Sequence, residues 1–317
     1  MIRLPLAGAR ERPAALAVLV LAAVLAAAAP GFFSPANLRD VLLANAAVQI
    51  VAVGMTFVIL TGEVDVSVGA LFGLCAVLVG ALARAGVPVP LAAAAAVGAG
   101  AAIGLVNGTL VGALGLPSIV VTLGMLAILR DGLRWVTEGA WIRGLPAGFQ
   151  WLGLGQSGGE IVVVASTAAV VVAAAVTLRF LQAGRAVYAA GSDRESARLS
   201  GLRPRAIVAA AFVATGALTG LAAVLNAIRF AEVPGVSGVG LELRVIAAVI
   251  VGGTAITGGR GSIVGTVLGV ALLGAIGTGL TFLGISAYWE RALQGGIILA
   301  AILADRSAAR PRAQVQA

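Results

Sequence analysis

The 317-residue chain contains no histidine and no lysine, so all 21 of its basic residues are arginine. Without histidine it has no imidazole base and no imidazole metal ligand. Without lysine it can form no Schiff base, and it lacks the P-loop lysine that reaches nucleotide phosphates. The single cysteine, Cys75, lies in an apolar run, which excludes an internal disulfide and a thiolate metal cluster. Charge is scarce as well. Charged residues make up 11% of the chain, against about 25% in globular proteins. Hydrophobic residues make up 60% and the mean hydropathy is +1.08. From Val87 to Leu129 there is no charged residue at all. At ~20 residues per span, such a run crosses a bilayer roughly twice. The expectation is an all-α polytopic membrane protein. The pI of about 11.4 then reads as arginine that sets orientation rather than as a nucleic-acid surface.

The start, Met1-Ile-Arg-Leu-Pro-Leu-Ala-Gly-Ala-Arg-Glu-Arg, resembles the charged head of a signal peptide. The apolar stretch behind it, 13–29, is longer than a usual signal core, and Ala27-Ala-Ala-Pro is a weak cleavage site. It reads as a first transmembrane helix. Polar, proline and glycine punctuation then predicts helices over 13–30, 38–61, 66–84, 88–112, 117–137, 160–183, 206–228, 242–257, 262–282 and 287–304. That gives about ten spans. A tail of 1–12 precedes a transmembrane domain of 13–304, and a tail of 305–317 follows it.

Arginine counting orients these spans. With both ends inside, the inner segments hold Arg3, Arg10, Arg12, Arg185, Arg194, Arg198, Arg203, Arg205, Arg260, Arg306, Arg310 and Arg312, twelve in all. The outer segments hold Arg39, Arg84, Arg143, Arg229 and Arg291, five in all. Arg130, Arg134, Arg179 and Arg244 fall within helices near their ends. The excess predicts both termini in the cytoplasm. Trp135, Trp141, Trp151 and Trp289 gather at the outer side in this arrangement, where a half-wet indole is favoured.

Small residues predict close helix packing. Gly104, Gly108 and Gly112 share one face of the fourth helix, and Gly69/Gly73, Gly216/Gly220 and Gly265/Gly269 repeat the four-residue spacing. The segment 184–205 is the most polar internal stretch. Ser192 or Asp193 can cap a short helix, Glu195 stands at capping-box distance from Ser192, and Gly201 can end it. Gly191 and Gly201 offer turns on either side, Arg194 and Arg198 share a face, and Ala197 with Leu199 forms an apolar strip. A docking helix and an ordinary positive loop both meet that description.

Several of these segments together resemble the ribose-type sugar permeases of ABC importers. The resemblance is carried by Gly54-Met-Thr-Phe-Val-Ile-Leu-Thr-Gly-Glu-Val-Asp-Val-Ser-Val-Gly, by Leu116-Pro-Ser-Ile-Val-Val-Thr-Leu-Gly-Met and by Tyr188-Ala-Ala-Gly-Ser-Asp-Arg-Glu-Ser-Ala-Arg-Leu-Ser-Gly-Leu. Ile246-Ala-Ala-Val-Ile-Val-Gly-Gly-Thr-Ala-Ile-Thr-Gly-Gly-Arg-Gly-Ser-Ile-Val-Gly-Thr and Tyr288-Trp complete it, in order from about residue 38 to 300. Gly139-Ala-Trp-Ile-Arg-Gly-Leu-Pro is more like the rhamnose and autoinducer-2 permeases of that family.

The resemblance implies a type II-importer-like bundle in the bacterial cytoplasmic membrane that lines the path of a monosaccharide or small polyol. It implies a separate cytoplasmic ABC ATPase, an extracytoplasmic sugar-binding protein, and a second permease copy or a sister permease. No cofactor or metal is expected. It places Tyr188, Gly191, Asp193, Arg194, Glu195, Ala197, Arg198, Leu199 and Gly201 in the coupling loop that meets the ATPase.

Other assignments follow from position. The outer segment 138–159, with Trp141, Arg143 and Trp151, is the expected landing surface for the binding protein. Glu63 and Asp65, bracketed by Gly62 and Gly69 and followed by Ser67, form either a gating turn near the path or a loop whose acids pair with Arg260 or Arg185. Asn45, Gln49, Thr56, Asn107, Thr122 and Asn226 are uncharged polar residues within spans, either interhelical glue or path lining. Asn45 and Gln49 share a face. Two alternatives remain. A stand-alone ion-coupled transporter needs intramembrane carboxylates, for which Glu63 and Asp65 are the candidates. A membrane enzyme has little to work with here.

Overall fold

The computed structural model describes residues 11–286 and the isolated positions 289, 292, 295 and 296; the expected span 287–304 lies outside the continuously described chain. The helices are α1 Arg12–Ala28, α2 Pro35–Leu60, α3 Val68–Arg84, α4 Val89–Gly108, α5 Ser118–Thr137, α6 Gly155–Phe180, α7 Gln182–Ser192, α8 Arg194–Leu199, α9 Pro204–Ala227, α10 Leu241–Val251 and α11 Ile263–Phe282. Among the described residues the only β-structure is an isolated bridge between Ile142 and Val233. Among the described residues, five helices are long and apolar enough to cross a membrane: α2, α4 with its continuation to Ala113, α6, α9 and α11; α1 and α3 are apolar and shorter, at 17 residues each.

The ends of these helices follow local chemistry. Ser34 caps α2, and Pro35 occupies the first helical position, where its missing N–H costs nothing. Ser262 caps α11 through Gly265 N. At its far end α4 widens into a π turn, Thr109–Ala113.

α2 and α9 form the centre. Ile50, Val51, Ala52 and Val53 are each fully buried, so α2 is enclosed on every face, as an all-round apolar helix should be. α3, α4, α6, α10 and α11 surround the pair, α1 lies on α11, and α5 lies on α3. The α4–α9 pairing is the most extensive, and glycine explains it. A Cβ at Gly100, Gly104 or Gly112 would strike the backbone of Gly216, Phe212 or Arg205 respectively. Bare backbone on both sides lets the axes approach until main-chain atoms touch.

α10 departs from the expected span of 242–257. It has 11 residues, about 16 Å at 1.5 Å per residue, roughly half of a ~30 Å hydrocarbon core. It stops at Val251 because Gly252 sits against Gly265 O and Gly253 takes a φ of +92°. The chain reaches α10 without helix. Val233 lies against Gly80, Ser237 against Gly73 and Gly238 against Gly69, so an extended segment descends the face of α3 before α10 begins. The Gly69/Gly73 pair therefore seats the backbone of this strand-like segment, with the Glu242 carboxylate of α10 also against Gly69. Non-helical backbone is tolerated at membrane depth where protein covers it or where it lines a cavity.

Candidate functional site: a capped helix, a sealed turn and a broken span

The segment 184–205 folds as two helices. α7 is packed through Gly184, Val187 and Ala190, and Tyr188 OH donates to Gly261 O at 2.8 Å. Gly191 is not a turn residue. It is helical, and a Cβ there would overlap Leu60 O and Gly259 N. Gly259 N also donates to Leu60 O at 2.8 Å, so α7, the end of α2 and the loop after α10 meet backbone to backbone. The Cα face of this half-buried glycine is turned to backbone of the same protomer.

Asp193, not Ser192, caps α8. Its Oδ1 accepts from Glu195 N at 2.9 Å and Ser196 N at 3.0 Å, and Ser196 Oγ donates to Oδ2 at 2.9 Å. These bonds stabilise the carboxylate and hold its pKa below the ordinary value of 3.8. Ser192 ends α7 and turns its hydroxyl back to Tyr188 O, so the Ser192–Glu195 capping box does not form. Glu195 instead pairs with Arg198, at 2.6 Å. Gly201, with φ +83°, closes α8: its N–H donates to Arg198 O, and Leu202 N–H to Ala197 O. The expected apolar strip divides in two. Ala197 is buried while Leu199 is 75% exposed, so α8 presents one projecting leucine rather than a continuous stripe.

Arg194 leaves α8 altogether. It forms an ion pair with Glu63 and donates to Thr61 O at 3.4 Å. Glu63 therefore pairs with neither Arg260 nor Arg185. Asp65, two residues on, is 1% exposed. Its Oδ1 accepts from Ser67 N at 2.9 Å and Ser67 Oγ at 2.6 Å, and Asn107 Nδ2 donates to Ser67 Oγ at 3.0 Å. Burial pushes the Asp65 carboxyl up from 3.8, while the bonds from Ser67 and Asn107 pull it down. Asp65 Oδ2 and Asn107 Oδ1 have no donor among the described residues. The turn itself is tied to α5: Val64 N donates to Ser118 Oγ at 3.2 Å and Val66 N to Thr122 Oγ1 at 3.1 Å. Thr122, Asn107 and Ser67 thus belong to one buried polar knot joining α3, α4 and α5.

The other polar span residues are apart from it. Thr56 Oγ1 bonds Thr266 Oγ1 at 2.7 Å, between α2 and α11. Asn45 and Gln49 do share a face. Both line an otherwise apolar cavity of about 500 Å³ between α1, α2, α6 and α11. Asn45 donates to Val41 O and accepts from Arg244 Nη2 at 2.9 Å.

At the opposite end of the bundle from α8, the segment after α5 is held down from within. Phe149 is fully buried, Ile142 bridges to Val233, and Trp151 N donates to Ile228 O at 2.7 Å. Trp151 turns inward against Gly159 of α6. Of the expected landing residues, Arg143 and Trp141 lie on the surface; Arg143 Nε pairs with Glu232 Oε2 at 3.2 Å, and Trp141 is 54% exposed. Trp141 also borders a cavity of about 340 Å³ formed with Asn226, Phe230, Glu232, Ser237 and Ala76.

The pairing of Arg130 with Glu242 was missed by the sequence reading. Arg130 Nη2 lies 3.2 Å from both carboxylate oxygens, with Glu242 in the first turn of α10 and only 8% of its side chain exposed. The signal was available: intramembrane charges are rare and nearly always paired, and Arg130 and Glu242 stand within predicted spans.

The family model for the permease component of branched-chain amino acid transport systems matches residues 37–302. The autoinducer 2 import system permease protein LsrC of Salmonella typhi is 35% identical over 296 residues, covering 93% of this chain and 85% of the relative. The LsrC of Escherichia coli O157:H7 is 37% identical over 301 residues, covering 93% and 86%. That of Photorhabdus luminescens is 34% identical over 305 residues, covering 93% and 89%. No solved structure matches.

Proposed function

The chain belongs to the permease-component family of branched-chain amino acid transport systems, and on that premise we propose that it is the membrane subunit of an ABC importer for a monosaccharide or related small polyol. It is a multi-pass protein of the bacterial cytoplasmic membrane. ATP hydrolysis belongs to a separate ATPase, in keeping with a chain that has no lysine for a P-loop. The relatives are named for autoinducer 2 import, and a neutral, hydroxyl-rich cargo suits a chain whose cavities carry amide, hydroxyl and aromatic groups.

The observation that carries the reading is the α7–α8 unit. An importer must hand the ATPase's motion to the membrane helices, and only contacts that differ between two states can shift a population. α8 is short, capped at both ends and tipped by exposed Leu199. Behind it, Arg194 grips Glu63 at the α2–α3 turn, and Gly191 of α7 abuts Leu60 O at the end of α2. A push on α8 therefore reaches α2, the core helix, through one ion pair and one backbone contact. This end faces the cytoplasm in the proposed orientation, and a second permease copy or a sister permease completes the path. A stand-alone ion-coupled carrier is less well served, because Glu63 is engaged by Arg194 and Asp65 is sealed from water.

Reconstitution with the cognate ATPase and sugar-binding protein tests the proposal. Loaded binding protein should stimulate ATP hydrolysis and drive uptake. Uptake by the chain alone on an ion gradient would sink it. In a Cys75-free background, Leu199→Cys should resist an impermeant thiol reagent in intact cells and react after permeabilisation; labelling from outside reverses the orientation.

A further inference from the structure

We propose that the cavity between α3, the end of α9 and the broken segment before α10 is a low-affinity monosaccharide site, in which Trp141 and Asn226 hold the sugar. The inference rests on the importer reading above and assigns the residues that touch the cargo.

Three observations converge on it. The first is the backbone. Ala231, Glu232, Val233, Pro234 and Ser237 line the cavity from a non-helical segment that runs down α3 past Gly80 and Gly73. Interrupted spans in transporters expose main-chain donors and acceptors at membrane depth, and such backbone persists where it borders a cavity. The second is the side-chain set. Asn226, at the last turn of α9, is half-buried, lines the cavity and has no side-chain hydrogen bond among the described residues. A planar amide left open in that way offers two donors and an acceptor to vicinal hydroxyls. Ser237 Oγ donates to Pro234 O, leaving its oxygen able to accept. Trp141 and Phe230 present aromatic surface beside these groups, 54% and 48% exposed. An aromatic face against C–H surface, with polar groups reaching hydroxyls at the rim, is how a polyol is held without charge.

The third is the charge balance. The one carboxylate, Glu232, is already neutralised by Arg143 through Oε2. An ionic cargo would find no uncompensated counter-charge, whereas a neutral sugar needs none. The volume, about 340 Å³, is at the small end of ligand cavities, which run roughly from 300 to 1,000 Å³. It accommodates one monosaccharide and excludes an oligosaccharide. The cavity opens at the end of the bundle bearing Trp141 and Arg143, where a binding protein would release its cargo. Trp141 is thereby reassigned from the docking surface to the sugar.

The test uses the reconstituted complex of permease, ATPase and binding protein, with D-ribose and L-rhamnose as probes and glycerol as a size control. The wild-type complex comes first: if it takes up neither sugar while its binding protein retains one, the importer reading fails, and the site falls with it. If wild type transports, Asn226→Ala should lower maximal uptake about tenfold, the equivalent of one net hydrogen bond lost. Capture of loaded binding protein, read by crosslinking, should be unchanged. Trp141→Ala should act likewise and Trp141→Phe should restore most uptake, because the ring is what matters. A permease with Trp141 as its sole tryptophan should show fluorescence quenching by millimolar sugar, lost on Asn226→Ala. Uptake within twofold of wild type for both alanine variants overturns the site. So does loss of binding-protein capture in either, which would make the cavity part of the docking surface. Quenching that survives Asn226→Ala overturns the role of the amide.

Discussion

α4 and α5 follow one another in sequence, have 20 residues each and both carry spaced glycines, yet they do opposite things. The glycines of α4 at 100, 104 and 108, and Gly112 in the π turn that continues it, close on the backbone of α9. A Cβ at Gly124 or Gly132 of α5 meets nothing within 4 Å among the described residues. Only Ser118 and Thr122 of α5 are buried, while Ile119, Val120, Ile128, Trp135 and Val136 are exposed. One helix is mortared into the protomer; the other is fastened at its start by the Asp65 knot and further along by Arg130 to Glu242, with a long apolar face open. Glycine spacing thus states that close approach is possible and leaves open whether this chain supplies the partner.

The sharpest way to break the contrast is at Gly104. A valine there must displace the Phe212 carbonyl, and backbone cannot yield as a side-chain tip can. Gly104→Val should cost about 3 kcal/mol or more, as severe overpacking does. The measurement is the amount of folded permease recovered from membranes and its thermal midpoint in detergent. Near-normal recovery would mean that α4 and α9 are not held at this distance.

Gly191→Ala should have the next largest effect. The added methyl overlaps Leu60 O, so α7 must lift off the end of α2. A destabilisation of about 1–3 kcal/mol is expected. In whatever protein survives, ATPase stimulation should separate from uptake. Arg194→Ala should be milder for stability. Its side chain is 54% exposed, and ion pairs of that kind contribute about 0–1 kcal/mol. It should nevertheless lower uptake per ATP, because it removes the other contact between α8 and the α2–α3 turn. Unchanged coupling in both variants would leave α7–α8 as a topological anchor only.

Some of this was legible in the residues. The end of α8 follows from Gly201 and the α4 seam from the Gly104, Gly108 and Gly112 spacing, whereas α2 starts at Pro35 behind its Ser34 cap, three residues before the expected 38. The half-length of α10 was not legible as such. Val251-Gly252-Gly253 carries a stop signal, but an apolar run that must cross a bilayer invites extension, and only the fit of 233–238 along α3 shows that the crossing is shared with extended chain. The candidate site was half visible. Asp193 and Glu63 could be named from local spacing, whereas the pairing of Glu63 with Arg194 spans 131 positions, and no local pattern encodes it. Trp151 reads as an interfacial aromatic until Gly159 is seen to make room for it. The inward turn of one tryptophan and the outward turn of Trp141 are decided by packing alone.

The smallest expected effect sharpens the contrast from the other side. Gly124→Ala and Gly132→Ala place methyl groups in open space on a regular helix. Removing a glycine from a helix interior improves it by roughly 0.5–1 kcal/mol, so in the isolated protomer the thermal midpoint should hold or rise slightly. Bulk then separates what covers the face. Lipid tails adapt to any apolar shape, so Gly124→Leu should be as benign as Gly124→Ala if α5 meets only lipid. A second permease copy packed through these glycines cannot adapt, because its own backbone would lie where the leucine side chain goes. Crosslinking through Ile128→Cys in a Cys75-free background reads the difference. The second-copy reading predicts a dimeric band in the parent that Gly124→Ala retains and Gly124→Leu loses, with protomer stability unchanged in both. Equal bands in all three would place the partner elsewhere and leave α5 to the bilayer.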